Sequence, residues 1–369
     1  MSRPDATVEE ILALLPDLDD FEVLRLRLVG AAVPDPGKAW DSSSAYATFD
    51  KRIVTPETAD RALHEAQEAV QQYVALLHQG LRPVLASVFS GDHAAAARHL
   101  IALGEELEQG GRVLAARQCY RAALTVSLPL AEKEPQILAL RRVGRAALNV
   151  GDFQEAAAYY ERSVAVARDA GDLRGEVIGC TGLGNVRTWQ WRWSEAERCY
   201  HEALALADSE AAAGLDLSAE RGHLYNNLAN LTTRQQKLDE SEVWFESAFR
   251  LWEGRSAVDV AFAHFNRAHL REEQGRWDDA RRDYEAALAL PIASNLRSLI
   301  ATDFAEWWLH EGHVTQAEEW GRMAEEHAIA SRSPYTLVHM YRGRGKIALA
   351  RGDADGFTFF EKALEIARD

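Results

Sequence analysis

A period of forty residues constrains this chain more than any other feature. Gly144, Gly151, Ala156 and Tyr160 are matched forty positions on by Gly184, Trp191, Ala196 and Tyr200, and forty positions back by Gly104, Gly111, Ala116 and Tyr120. Within each unit a small residue sits on one apolar helical stripe, a turn follows about two helical turns later, and a small residue and an aromatic then recur four apart. That spacing describes two antiparallel helices crossing closely at the small residues, with the aromatic wedged into the neighbouring unit. Neither helix can bury its apolar face alone, so successive units must stack into a continuous core.

The pattern extends across most of the chain. Leu228, Ala229, Ser241, Phe245 and Ala248 continue it after a longer connection from Asp208 to Gly222, followed by Ala268, Gly275, Ala280, Tyr284 and Ala287. Ala305, Gly312, Ala317 and Ala324 form a further unit in which Gly321 stands where an aromatic is expected, with Trp307, Trp308 and Trp320 nearby. The final unit, Gly345, Gly352, Gly356, Phe360 and Ala363, has a turn one residue shorter. About seven helical hairpins are therefore expected over residues 93–369.

These residues, with the run Leu183, Gly184 and Asn185, resemble the tetratricopeptide repeat family. The period is similar to that of its longer-repeat branch, which includes kinesin light chains and bacterial peptide-pheromone receptors. The resemblance implies an all-α, right-handed superhelical solenoid whose first helix in each pair lines a concave groove. It also implies a binding role, although one fold of this kind hosts many.

Residues 1–92 read as helical without obeying the period. Two short helices are expected over 1–30, and a loop over 31–55 carries Pro34, Pro36 and Gly37, with Trp40, Tyr46 and Phe49 docking it. Pro56 opens a helix that Gly80 should end, and a short helix should cover Leu81 to Ser90. This block is either a cap over the first hairpin's apolar face or a separate effector module like that of some pheromone receptors and response-regulator phosphatases. In the second case Gln67, Gln71 and Gln72 are where a catalytic amide would be sought. At the other end Phe357, Phe360 and Leu364 form one apolar stripe and Phe359 with Ile366 begins a second, a candidate self-association surface.

Charge and composition exclude several classes. A net charge of −16 at pH 7 gives a phosphate backbone no counterion-release affinity for the molecule as a whole, so direct nucleic-acid binding is not expected. No apolar run approaches a membrane span and Met1 to Glu10 does not resemble an export signal, which places the chain in the cytoplasm. Cys119, Cys180 and Cys199 form no CxxC pair and read as buried reduced thiols. The twelve histidines show no metal-ligand spacing; His310 and His313 straddle a turn, and His264 and His269 are five apart. Phosphate-binding loops and nucleophile elbows are also missing. Neither catalysis nor a cofactor or metal is expected.

The groove-lining positions change character along the array. The unit on Gly144 offers Arg141, Arg142 and Arg145; that on Gly184 offers Thr181, Asn185, Thr188 and Trp189; that on Ala229 offers Asn226, Asn227, Asn230 and Arg234. Phe265, Asn266, His269 and Glu272 come next, then Thr302, Asp303 and Glu306. The wall thus runs from basic, through asparagines with aromatics, to acidic. A side-chain amide can both donate to and accept from an extended peptide backbone without the desolvation cost of a charge. In kinesin-light-chain-like arrays such asparagines hold a bound peptide's backbone, and the resemblance carries that role to Asn185, to Asn227 or Asn230, and to Asn266. The arginines would meet a ligand carboxylate or phosphate, or acidic residues of the neighbouring unit. A protein- or peptide-binding scaffold follows, with a peptide-responsive regulator that repositions its N-terminal helices as the alternative.

Overall fold

The computed structural model describes residues 75–109, 112–254, 256–331, 333–353 and 356–367. The features expected over 1–56 and the Gln67, Gln71 and Gln72 group lie outside them. Every regular element among the described residues is helical. Helix α1 covers 75–90, and seven antiparallel hairpins follow. They are α2 (His93–Gln109) with α3 (Val113–Ser127), α4 (Glu134–Asn149) with α5 (Phe153–Ala170), α6 (Leu173–Trp189) with α7 (Trp193–Ala207), and α8 (Ser218–Arg234) with α9 (Leu238–Trp252). The last three are α10 (Ala257–Glu273) with α11 (Trp277–Ala289), α12 (Ser294–His310) with α13 (Val314–Ser331), and α14 (Pro334–Arg351) with α15 (Gly356–Ile366). No described helix is long and apolar enough to cross a membrane.

Local chemistry sets where these helices begin and end. Asp152 and Asp172 cap α5 and α6 by accepting from the backbone N–H of Glu155 at 3.0 Å and Gly175 at 2.9 Å. Pro135 and Pro334 stand in the first turns of α4 and α14, where a missing N–H costs nothing. Gly171 closes α5 at φ 69° and Gly352 closes α14 at φ 83°, the left-handed conformation that glycine adopts without strain. Trp191 occupies the same kind of turn between α6 and α7 at φ 60°, and Gln236 does so between α8 and α9 at φ 61°.

The crossing of each hairpin explains the repeat. A Cβ on Gly104 would lie 2.4 Å from the Tyr120 ring, one on Gly184 would lie 2.4 Å from Tyr200, and one on Gly345 would lie 2.6 Å from Phe360. The aromatic therefore packs beneath the small residue of its own hairpin rather than chiefly against the next. Tyr160 does both: Gly144 lies against one edge of its ring, and a Cβ on Gly182 of α6 would reach 2.1 Å from the other.

First helices of consecutive hairpins touch one another, as α4 does α6 and α6 does α8, whereas second helices make at most marginal contact with one another. The array consequently curves with the first helices inside, and they form its concave wall.

Three local expectations need correction, and the rearranged packing expected at Gly321 takes a definite form. Helix α1 runs unbroken through Gly80, whose bare backbone makes room for Leu103: a Cβ there would sit 2.4 Å from Leu103 Cδ1. Leu77, Leu81 and Val84 of α1 share one core with Leu100, Leu103 and Leu107 of α2. Helix α8 begins at Ser218, so the connection after α7 ends before Gly222, which packs against the Trp252 indole. At Gly321 the space is filled from the next hairpin by Ile347, whose Cδ1 would lie 2.7 Å from an added Cβ. Finally, Phe360 turns inward onto Gly345, leaving Phe357 and Leu364 as the exposed large apolar side chains of α15. All three cysteines are buried and unbridged, and burial pushes the thiols of Cys119 and Cys180 up to about 12.

Candidate functional site

The concave wall is built from α2, α4, α6, α8, α10, α12 and α14, and its polar side chains are mostly engaged with each other. At the basic end Arg142 pairs with Glu105, and Arg145 meets Glu108 at 2.5 Å, both carboxylates coming from α2. Two of the three arginines are thus held by the preceding hairpin. Arg141 is different. It is half-buried, and among the described residues no hydrogen bond or ion pair reaches its guanidinium. Burial, and next the neighbouring Arg142 cation, pull its pKa below the usual arginine value.

The asparagines divide into two kinds. Asn226 and Asn266, forty residues apart, are buried, and the Asn266 amide donates to the Asn226 carbonyl oxygen at 3.2 Å. They tie α8 to α10, so the surface they were expected to offer is largely consumed within the array. Asn185 accepts from the Tyr200 hydroxyl at 2.7 Å, which fixes its amide while leaving the Nδ2 donor unused. Asn227 and Asn230 are partly exposed and have no side-chain partner among the described residues. Beside them Arg234 is exposed and forms no ion pair among those residues, and Trp189 keeps 49% of its surface accessible.

The acidic end is internally neutralised. Asp303 sits between two histidines, with His269 Nε2 at 3.1 Å from Oδ2 and His339 Nε2 at 2.7 Å from Oδ1. Glu272 accepts from the Tyr284 hydroxyl at 2.9 Å and lies 3.4 Å from His269 Nδ1. Glu306 pairs with Lys346 at 2.6 Å, and Thr302 is buried under α14. Burial opposes a charge on His269, but its hydrogen bonds to Asp303 and Glu272 outweigh that and push its pKa up to about 10. His269 therefore belongs to a network linking α10, α12 and α14, rather than being a free donor. His339 and Lys346 escaped the sequence reading. Glu306 and Lys346, like Asn226 and Asn266, are forty residues apart, and that register is the signal that pairs inner-helix side chains.

Family-model matches now place the hairpins. A tetratricopeptide repeat model matches residues 220–292, and a second matches 139–174. The chain carries tetratricopeptide repeats. Among curated relatives, a photosystem I assembly protein Ycf3 of Prochlorococcus marinus is 29% identical over 125 residues, covering 34% of this chain and 68% of that protein. Ycf3 of a second strain of the same organism, NATL1A, is 28% identical over 128 residues, with the same coverage. Among solved structures, a Rap protein complexed with competence and sporulation factor superposes with a TM-score of 0.56 at 13% identity, covering 98% of this chain and 99% of the other. The Rap conjugation gene regulator of plasmid pLS20, in complex with the Phr* peptide, gives 0.53 at 12% identity, covering 98% and 94%. At such identities the likeness is one of fold, and it extends over the whole tetratricopeptide array. Among the described residues no group of three or more His, Cys, Asp or Glu could hold a metal ion.

Proposed function

We propose that this chain is a non-catalytic scaffold that takes an extended peptide or protein segment along the concave wall between α4 and α8. The observation that carries this reading is the contrast along the wall. Toward the C-terminal end the ionisable side chains His269, Glu272, Asp303 and Glu306 are engaged with their neighbours, while Arg141, Asn227, Asn230, Arg234 and the Asn185 amide hold unused hydrogen-bonding capacity beside the exposed Trp189. Idle asparagines in mid-helix are poor choices for helix stability alone. The two Rap structures, each solved with a peptide or factor bound, support the same use of the fold.

The test is to pan a random linear peptide library against the full chain and measure selected binders against Asn227→Ala combined with Asn230→Ala. Loss of backbone-holding amides should weaken binding by about 1–3 kcal/mol with an unchanged melting temperature. Undiminished affinity removes these residues from the site.

A second reading, a peptide-responsive regulator whose N-terminal helices act on a partner, is favoured by one observation. Every other adjacent pair of inner helices is joined by polar side chains, but among the described residues no hydrogen bond or ion pair joins α4 to α6. They meet through apolar packing, with Ala147 and Val186 in one core cluster.

A further inference from the structure

We infer that the α4–α6 junction is an anion subsite that takes a single carboxylate from the bound peptide, with the Arg141 guanidinium and the Tyr160 hydroxyl as its donors. This deepens the groove reading and rests on it.

Two independent observations meet at this point. Arg141 is a half-buried cation with no partner, as described above. Tyr160 is only 6% exposed, and its hydroxyl finds no hydrogen-bond partner among the described residues. The equivalent tyrosines all find one: Tyr120 donates to Glu108 at 2.8 Å, Tyr200 to Asn185 at 2.7 Å and Tyr284 to Glu272 at 2.9 Å. The exception has a cause in the sequence. The helix position that supplies Glu108 and Glu272 holds Leu148 in this unit, and the position that supplies Asn185 holds Arg145, itself a donor drawn back to Glu108. A phenol and a guanidinium, both donors without an acceptor, therefore flank one junction, where the charges of Arg145, Arg141 and Arg142 act on Tyr160.

Charge decides the class of anion. Arg141, Arg142 and Arg145 bring three positive charges, and Glu105 and Glu108 neutralise two. Of the other carboxylates whose field reaches Arg141, Glu134 is spent on Arg98 at 3.0 Å, whereas Asp172 accepts the Gly175 N–H at 2.9 Å and keeps its charge. At most one positive charge is left uncompensated, which suits a monoanion. A phosphate dianion would leave the junction negative. Two donors from different helices also match the two oxygens of a carboxylate. Its source is an aspartate or glutamate side chain or a peptide C-terminus.

The experiment uses the full chain and the library-selected binders. Wild-type binders should carry one Asp or Glu at a fixed position, or end in a free carboxylate at that point. Replacing the acid by its amide, or amidating the terminus, should weaken wild-type binding at least tenfold, and which change does so identifies the source. In Arg141→Met and in Tyr160→Phe the same replacements should change affinity much less, because the two losses are one interaction. Both variants should melt at or above the wild-type temperature, since neither donor has a partner to lose.

Binders indifferent to acid replacement, binders that Arg141→Met holds equally well, or preference for a phosphoserine at the fixed position would each overturn the subsite while leaving the groove reading intact. If panning returns no binder, or binders insensitive to both this site and Asn227 with Asn230, the groove reading falls and the subsite with it.

Discussion

Single residues carry the array's geometry through what they lack. Gly182 has no Cβ, and adding one would drive it to 2.1 Å from the Tyr160 ring, which is pinned on its other side by Gly144. Gly182→Ala should cost about 1–3 kcal/mol by overpacking, read as a lower denaturant midpoint; a neutral result would mean the ring has room to move. Trp191 presents the opposite case, a bulky residue held at φ 60° and 71% exposed. Relieving a left-handed residue's strain should make Trp191→Gly more stable by about 1 kcal/mol, measured in the same way. His269 gives a pH signature. Its folded pKa of about 10 lies above the unfolded value of about 6.5. The stabilisation is therefore fully present below pH 6.5 and is lost as pH rises through about 10. Stability of the wild type should fall across that window more steeply than that of His269→Gln; parallel slopes would exclude His269 as the source.

At the scale of the helix pair, the small-residue and aromatic spacing was legible because it encodes a backbone approach that only glycine or alanine allows. Ala156, fully buried at the α4–α5 crossing, is part of that encoding. Side-chain pairing was less legible, because it depends on the angle between hairpins. Arg142 and Arg145 could have faced a ligand, and the curvature instead brings them over Glu105 and Glu108. Asp303 reads as part of an acidic wall until His339, thirty-six positions on, is brought against it. The α10–α11 pair contains a comparable clasp. Asp283 is buried, accepts from Arg267 at 2.6 and 2.9 Å and contacts His264 Nδ1 at 2.7 Å. Burial would raise its pKa, but those partners hold it below the usual carboxylate range. Asp283→Asn leaves Arg267 without its counter-charge and should cost about 3 kcal/mol, visible as a fall in melting temperature; an unchanged melting point would show the clasp to be dispensable.

Over the whole molecule the stacking of hairpins makes stability a sum of neighbour terms. Among the described residues the last hairpin packs against one neighbour, and its α15 leaves Phe357 and Leu364 exposed. The α8–α9 hairpin is packed from both sides and buries Phe245 and Trp252. Backbone amides of α14 and α15 should exchange with solvent at least tenfold faster than those of α8 and α9, and uniform protection would show that the array unfolds as one unit. The missing polar tie between α4 and α6 acts on this larger scale too. Along its inner edge the array is clamped at every coil but one, and there the load passes to its outer face, where α5 grips α6 through Arg168 with Glu176 at 2.7 Å, Arg187 with Glu161 at 2.9 Å and the Tyr160 ring against Gly182.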